Sequence, residues 1–169
     1  PLHHLCQSEE CELVAILFRM EQTKQPSILM VSDDFAPAAT GVGVHLQIVA
    51  QELASRGHRI IIISSRQPGQ ATCENWNGIT VHRFFSLKIA GFWQAIANPF
   101  FIQRILKNES IDIVHFHYIS SMMVTAFLIT KLLPGASRPK LVYTYHMTED
   151  HLTQPWFMRP FRTVIRKLI

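Results

Sequence analysis

The chain is expected to fold as an α/β domain, a Rossmann-like doubly wound parallel sheet with helices on both faces. Three observations predict it. Ile28-Leu29-Met30-Val31-Ser32 and the run Ile60 to Ile63 are short, continuous apolar stretches, the pattern of strands buried on both faces. Stretches of helical period alternate with such runs, as parallel crossovers require. Two later strands, Asp112-Ile113-Val114-His115-Phe116-His117 and Leu141-Val142-Tyr143-Thr144-Tyr145-His146, are apolar until they end in histidine. A strand that ends this way opens onto a site, because desolvating an imidazole without a partner is costly.

Taken in order, residues 1–26 read as an appendage. Leu13 to Phe18 is an apolar patch of short-helix length, and Glu21 to Pro26 reads as a linker. The domain is expected over residues 27–169. Its first strand runs from Ile28 to Ser32 and leads into a loop, Asp33 to Thr40, that contains Pro37. Thr40 caps a helix whose stripe is Val42, Leu46, Val49 and Leu53, and Gly57 ends it. Arg59 to Ser64 is the second strand. Ser65 to Gly78 is polar and turn-rich, and Ile79 to Phe84 alternates like an edge or half-exposed strand. Asn98-Pro99 caps a helix over Phe100 to Asn108. After the Asp112–His117 strand, Ser120 or Ser121 caps a helix to Leu133, which Pro134-Gly135 stop. Leu141 to His146 is the last strand, and Phe161 to Leu168 reads as a final helix.

Right-handed crossovers give the strand order 3-2-1-4-5. The first strand then lies beside Asp112–His117, and the switch point falls between them. Ligands bind there, outside the carboxyl ends of the strands. Thr40-Gly41-Val42-Gly43, His117 and His146 all sit at carboxyl ends, so the topology gathers features far apart in sequence.

Composition narrows the function. Hydrophobic residues at 48% against 17% charged describe a chain with a core, not a disordered one. The net charge of +4 favours anionic partners such as phosphates or acidic lipid. Basic residues are scattered except for Arg159, Arg162, Arg166 and Lys167, so no nucleic-acid surface is expected. Cys6, Cys11 and Cys73 form no disulfide framework and read as reduced and intracellular. His3, His4, Cys6 and Cys11 lack a standard metal spacing. No apolar run reaches the ~18 residues of a spanning helix, and the N-terminus has no signal-peptide pattern. The chain begins at Pro1, as a fragment or a processed product would. A cytoplasmic location is expected, with peripheral contact to the cytoplasmic face of a membrane.

Four features carry chemistry. Backbone amides at the Thr40-Gly41-Val42-Gly43 turn can hold a phosphate, although the turn is neither a G-x-G-x-x-G fingerprint nor a P-loop. His115 and His117 share one face of their strand. They suit hydrogen bonds to a sugar hydroxyl or phosphate better than a metal pair with His146 as third ligand, since no acidic cluster supplies an outer shell. Asp33 and Asp34 resemble the paired acids of receiver domains, but no strand ends in the required aspartate or lysine, so they read as a solvated, turn-making loop. Phe84, Phe85, Phe92, Trp93, Phe100 and Phe101, with Arg83, Lys88 and Arg104, fit either a core or an anionic membrane interface.

From Ser27 onward the chain resembles the N-terminal domain of GT-B glycosyltransferases of the retaining, nucleotide-sugar-dependent family-4 type. Three stretches carry the resemblance. The first is Ile28 to Pro37 followed by Thr40-Gly41-Val42-Gly43-Val44-His45. The second is Gln51-Glu52-Leu53-Ala54-Ser55-Arg56-Gly57-His58-Arg59-Ile60. The third pairs Asp112–His117 with Thr144-Tyr145-His146. The resemblance implies that His117 lies near the transferred sugar as the catalytic position. It implies that Thr40, Gly41, Val42 and Gly43 face the donor phosphate, and that His45, His115, Thr144 and His146 face the acceptor. The family has two glycines where this chain has Thr40-Gly41. It implies no cofactor and no metal, the nucleotide-sugar being a substrate. The partners implied are that donor, a glycan or lipid-linked or phosphoinositide acceptor, and a C-terminal donor-binding domain or partner chain. That domain is absent before Ile169, so the chain alone is expected to be inactive. The rivals are a noncatalytic doubly wound binding module and a histidine-metal hydrolase.

Overall fold

The computed structural model describes residues 25–37, 40–89, 92–117, 120–135, 138–144 and 146, with side chains left aside at 88, 89 and 92–94. The expected segments Leu13–Phe18 and Phe161–Leu168 lie outside them. Seven strands and three helices follow in the order β1 (Ser27–Val31), α1 (Gly41–Ser55), β2 (Arg59–Arg66), β3 (Cys73–Trp76), β4 (Ile79–Ile89), β5 (Phe92–Ala95), α2 (Pro99–Asn108), β6 (Ile113–Phe116), α3 (Ser121–Leu132) and β7 (Lys140–Tyr143).

The sheet order is β3-β4-β2-β1-β6-β7, with β5 paired to the far end of β4. The segment β4-β2-β1-β6-β7 is parallel throughout and reproduces the expected 3-2-1-4-5 order. β1 lies between β2 and β6, with Met30 opposite His115 and Val31 opposite Phe116. Alternation along the strands splits the core in two. Leu29, Val31, Ile61, Ile63, Val114 and Phe116 face the α2–α3 layer with Ile102, Ile105, Met122 and Ala126. Ile28, Met30, Ile60, Ile62 and Val81 face α1 through Leu46 and Ala50.

The helix ends follow local chemistry. Thr40 Oγ1 accepts from the Gly43 amide at 3.0 Å, Asn98 Oδ1 accepts from Phe100 and Phe101, and Ser120 Oγ accepts from Met123 at 3.1 Å. Gly57 has φ +88°, a left-handed conformation at the turn after α1 that glycine adopts without strain.

Two expectations are corrected. The turn-rich stretch Ser65–Gly78 contains β3, which pairs antiparallel with β4. β4 is therefore interior, not an edge. Asn77 and Gly78, both at positive φ, make the two-residue turn between them. The aromatic stretch from Phe84 contains a second antiparallel pairing, Ser86–Ile89 with Phe92–Ala95, before α2 begins. Phe84 is core there, whereas Phe85, Leu87, Ile96, Phe100 and Phe101 are exposed. Among the described residues no helix is long and apolar enough to cross a membrane.

Candidate functional site

The site lies at the carboxyl ends of β1, β6 and β7. His117 is one residue past β6 and completely buried, and its amide donates to the Val31 carbonyl at 3.0 Å. Register places His115 between Met30 of β1 and Val142 of β7, on the α1 side of the sheet. His117, two residues on, points the same way. Thr144 continues the pairing, its amide donating to the Phe116 carbonyl at 2.9 Å. His45 reaches the cluster from the first turns of α1.

Four imidazoles meet there. His115 and His117 have ring centroids 4.0 Å apart, and His117 and His146 stack at 5.5 Å. His45 lies edge-on to His146 at 4.8 Å and 6.0 Å from His117. His117 Nδ1 and His146 Nε2 are 3.3 Å apart, and His115 Nε2 is 2.7 Å from Thr144 Oγ1. His117 Nε2 is buried without a partner among the described residues. Burial, reinforced by the neighbouring histidines, lowers the His117 pKa to about 3 and that of His115 to about 4. Burial also lowers that of His146, with His45 adding to the effect. At neutral pH the cluster's inner wall is thus uncharged imidazole, able to donate from one nitrogen and accept at the other.

The loop from β1 to α1 is held in place. The Asp33 carbonyl accepts from the Ser64 and Ser65 hydroxyls and the Ser65 amide, all on β2. Phe35 is buried, packs edge-on to Trp76 at 4.9 Å, and carries Arg83 over its ring. Arg83 is buried, pairs with Glu74, and donates to the Ala36 carbonyl. Thr40 then caps the α1 N-terminus. The Gly43 amide is taken by Thr40 Oγ1, and the Val44 amide by the Thr40 carbonyl at 2.9 Å. The Gly41 and Val42 amides find no partner among the described residues. A Cβ built at Gly41 meets nothing within 4 Å.

The nine sequence-selected residues therefore divide. His45, His115, His117, Thr144 and His146 come together. Thr40 and Gly43 spend their capping groups on each other, which leaves the Gly41 and Val42 amides without a partner among the described residues. Asp33 corrects the solvated-loop expectation: it is 4% exposed, and neither carboxylate oxygen has a hydrogen-bond partner among the described residues. Burial raises its pKa to about 7, offset in part by the Ser120 hydroxyl and the backbone at Ala95, which face it without closing a bond. The signal was alternation: Asp33 continues the face of Leu29 and Val31, which lies under the α2–α3 layer. Arg83, in the stretch that fitted either a core or a membrane interface, is a buried clamp. Its place two residues after Val81 on β4 was the available clue.

The doubly wound parallel sheet, with its switch point between β1 and β6, is an α/β Rossmann-like fold of the kind that GT-B glycosyltransferases share. The chain belongs to Glycosyltransferase Family 4, whose model matches residues 39–169. A curated relative, N-acetyl-alpha-D-glucosaminyl L-malate synthase of Bacillus anthracis, is 27% identical over 117 residues, covering 67% of this chain and 30% of its own. Among solved structures, sucrose-phosphate synthase from Thermosynechococcus elongatus shares the fold with TM-score 0.57 at 14% identity, over 82% of this chain and 39% of its own. A glycosyltransferase from Rickettsia africae matches with TM-score 0.50 at 22% identity, over 84% and 34%. The chain thus spans about a third of the length of these relatives.

Proposed function

We propose that the chain is the acceptor-side half of an enzyme that moves a sugar from a nucleotide-sugar donor to a glycan or lipid acceptor with retention of configuration. The observation that carries this is the convergence of His45, His117 and His146, with His45 borne by the first turns of α1. The free Gly41 and Val42 amides suit phosphate oxygens, aided by the positive end of the helix dipole. Neutral His117 suits a sugar hydroxyl, because its unpartnered nitrogen gains a hydrogen bond only when a ligand arrives. His45 and His146 line the approach for the acceptor, and His115, held by Thr144, backs His117. Rate enhancement would come from positioning and from stabilising charge on the leaving diphosphate. A further domain supplies the remaining donor contacts, and no cofactor is required.

A lipid acceptor is supported by the exposed Phe85, Leu87, Ile96 and Phe100, a surface suited to a membrane headgroup layer with Arg104 and Lys107 nearby on α2. Nucleoside diphosphate release by the whole protein tests the transferase reading. Release that needs both a nucleotide-sugar and an acceptor is expected, and the 169-residue chain alone should give none. Failure of the whole protein to turn over any donor would favour a binding module. Cosedimentation with anionic vesicles at low salt tests the membrane part, with neutral vesicles and Phe100→Glu both expected to reduce it.

A further inference from the structure

We infer that Asp33 is a positioning residue, whose buried carboxyl joins the end of β1 to the end of β5 and the N-terminus of α3. Asp33 follows β1 on the α2–α3 face of the sheet, opposite the face that carries the histidines. Its main chain is fixed, because its carbonyl accepts from the Ser64 and Ser65 hydroxyls and the Ser65 amide of β2. Its side chain enters a small polar cluster in an otherwise apolar layer. Ala95 and Ser120 are each 1% exposed, and Asp33 is 4% exposed. Ser121 Oγ donates to the Ala95 carbonyl at 2.9 Å, which already ties α3 to β5. The hydroxyl of Ser120, the α3 cap, and the Ala95 main chain both face the Asp33 carboxyl.

The surroundings select the neutral acid. From β2 Asp33 meets Ser64 and Ser65, from β5 Ala95 and from α3 Ser120, none of them charged. Asp34 is its charged neighbour and adds a like charge. Among the described residues no cation pairs with Asp33, and neither carboxylate oxygen has a hydrogen-bond partner. An ion there is desolvated without compensation, whereas a protonated carboxyl can donate from its O–H and accept at its other oxygen. Burial raises the pKa to about 7, so the group changes state close to neutral pH. Loss of the proton would set a charge between β1, β5 and α3 and loosen the joint. The β1 end leads to the Thr40–Val42 turn, and Ser120 follows His117 by three residues. The loosening would therefore reach both sides of the proposed transfer site.

The effect on rate rests on the transfer reading and the titration of the joint does not, so the two can fail separately. Labelling the whole protein with methyl-¹³C methionine puts probes at buried Met122 and Met123, in the first turn of α3. Their signals are expected to shift with a midpoint near pH 7 in the parent and to stay fixed in Asp33→Asn, which has the shape of the neutral acid. In transfer assays the parent should lose at least ~5-fold in rate between about pH 6 and about pH 8.5. Asp33→Asn should match the parent at the lower pH and lose that decline. Asp33→Ala removes the joint and should be at least ~10-fold slower at both pH values, with folding checked by its melting transition. Methionine signals that do not titrate near neutral pH in the parent, or that titrate equally in Asp33→Asn, overturn the inference. An Asp33→Asn enzyme as slow as Asp33→Ala, or an Asp33→Ala enzyme as fast as the parent, also overturns it.

Discussion

His115 and Thr144 are joined across β6 and β7 by a 2.7 Å contact between the imidazole Nε2 and the threonine hydroxyl, so His115 is a settled side chain while its neighbour His117 keeps one nitrogen without a partner among the described residues. Thr144→Val removes that partner and is expected to cost about 1 kcal/mol of stability. Turnover should fall only a few-fold, because His115 acts on the site through the packing of His117. Urea denaturation beside a transfer assay checks this. A hundred-fold loss of turnover at unchanged stability would make Thr144 or His115 a direct substrate contact.

Asp33 sets a pH dependence of known sign. Its pKa rises from 3.8 to about 7 on folding. Between those values the folded chain holds a proton that the unfolded chain has released, so stability falls as pH rises through this window. Asp33→Asn removes the penalty of a buried, unpaired carboxylate. The variant is expected to melt higher than the parent at pH 8. An equal or lower melting temperature there would mean that the carboxylate has a partner.

The buried histidines act in the opposite direction. Their folded pKa values, about 3 for His117 and about 4 for His115, lie below the ordinary 6.5. The unfolded chain therefore takes up protons first as pH falls, and stability is lost below about pH 6.5. In the Asp33→Asn variant this loss, shared with His82 and His146, should outweigh the opposing effect of Asp34, whose pKa burial also raises, giving a melting temperature that drops from pH 7 toward pH 5. A flat profile would contradict the neutral, buried imidazoles.

Arg83 and Glu74 form an unequal pair, with side chains 1% and 34% exposed. Removing Glu74 strands a buried cation, whereas removing Arg83 leaves a carboxylate that water can reach. Glu74→Ala is expected to cost about 3 kcal/mol, and Arg83→Met less than that. The reverse order in chemical denaturation would show that the Ala36 contact, not the ion pair, holds Arg83.

Gly41 tests the phosphate turn. A methyl group there meets nothing in the fold, so Gly41→Ala should leave the melting temperature unchanged. It should raise the donor KM in the whole enzyme several-fold, because the new Cβ narrows the approach to the free amides. An unchanged KM would remove the turn from the donor site.

Much of the fold was legible because buried parallel strands write themselves as apolar runs. Ile28–Ser32 and Ile60–Ile63 could be read as strands on both-face burial alone, the caps Thr40 and Asn98 fixed two helix starts, and the choice between Ser120 and Ser121 fell to Ser120. β3 was hidden because Cys73-Glu74-Asn75-Trp76 carries no apolar run, and its stability comes from pairing with β4, a tertiary effect. The site was partly legible. Strand alternation placed His115 and His117 on one face, and topology brought His146 beside them. The depth of Asp33 was missed because an acidic pair beside a proline loop reads locally as solvent-exposed. Only the α2–α3 layer packed over that face buries it.

The most direct test of the central claim is the rate of sugar transfer by the whole enzyme carrying His117→Ala, measured with the melting temperature of the same preparation. Loss of a positioned polar group from an active site costs on the order of 100-fold in rate, and at least that loss is predicted in a folded variant. A folded His117→Ala enzyme with near-normal turnover would show that the histidine cluster is structural and would contradict the site.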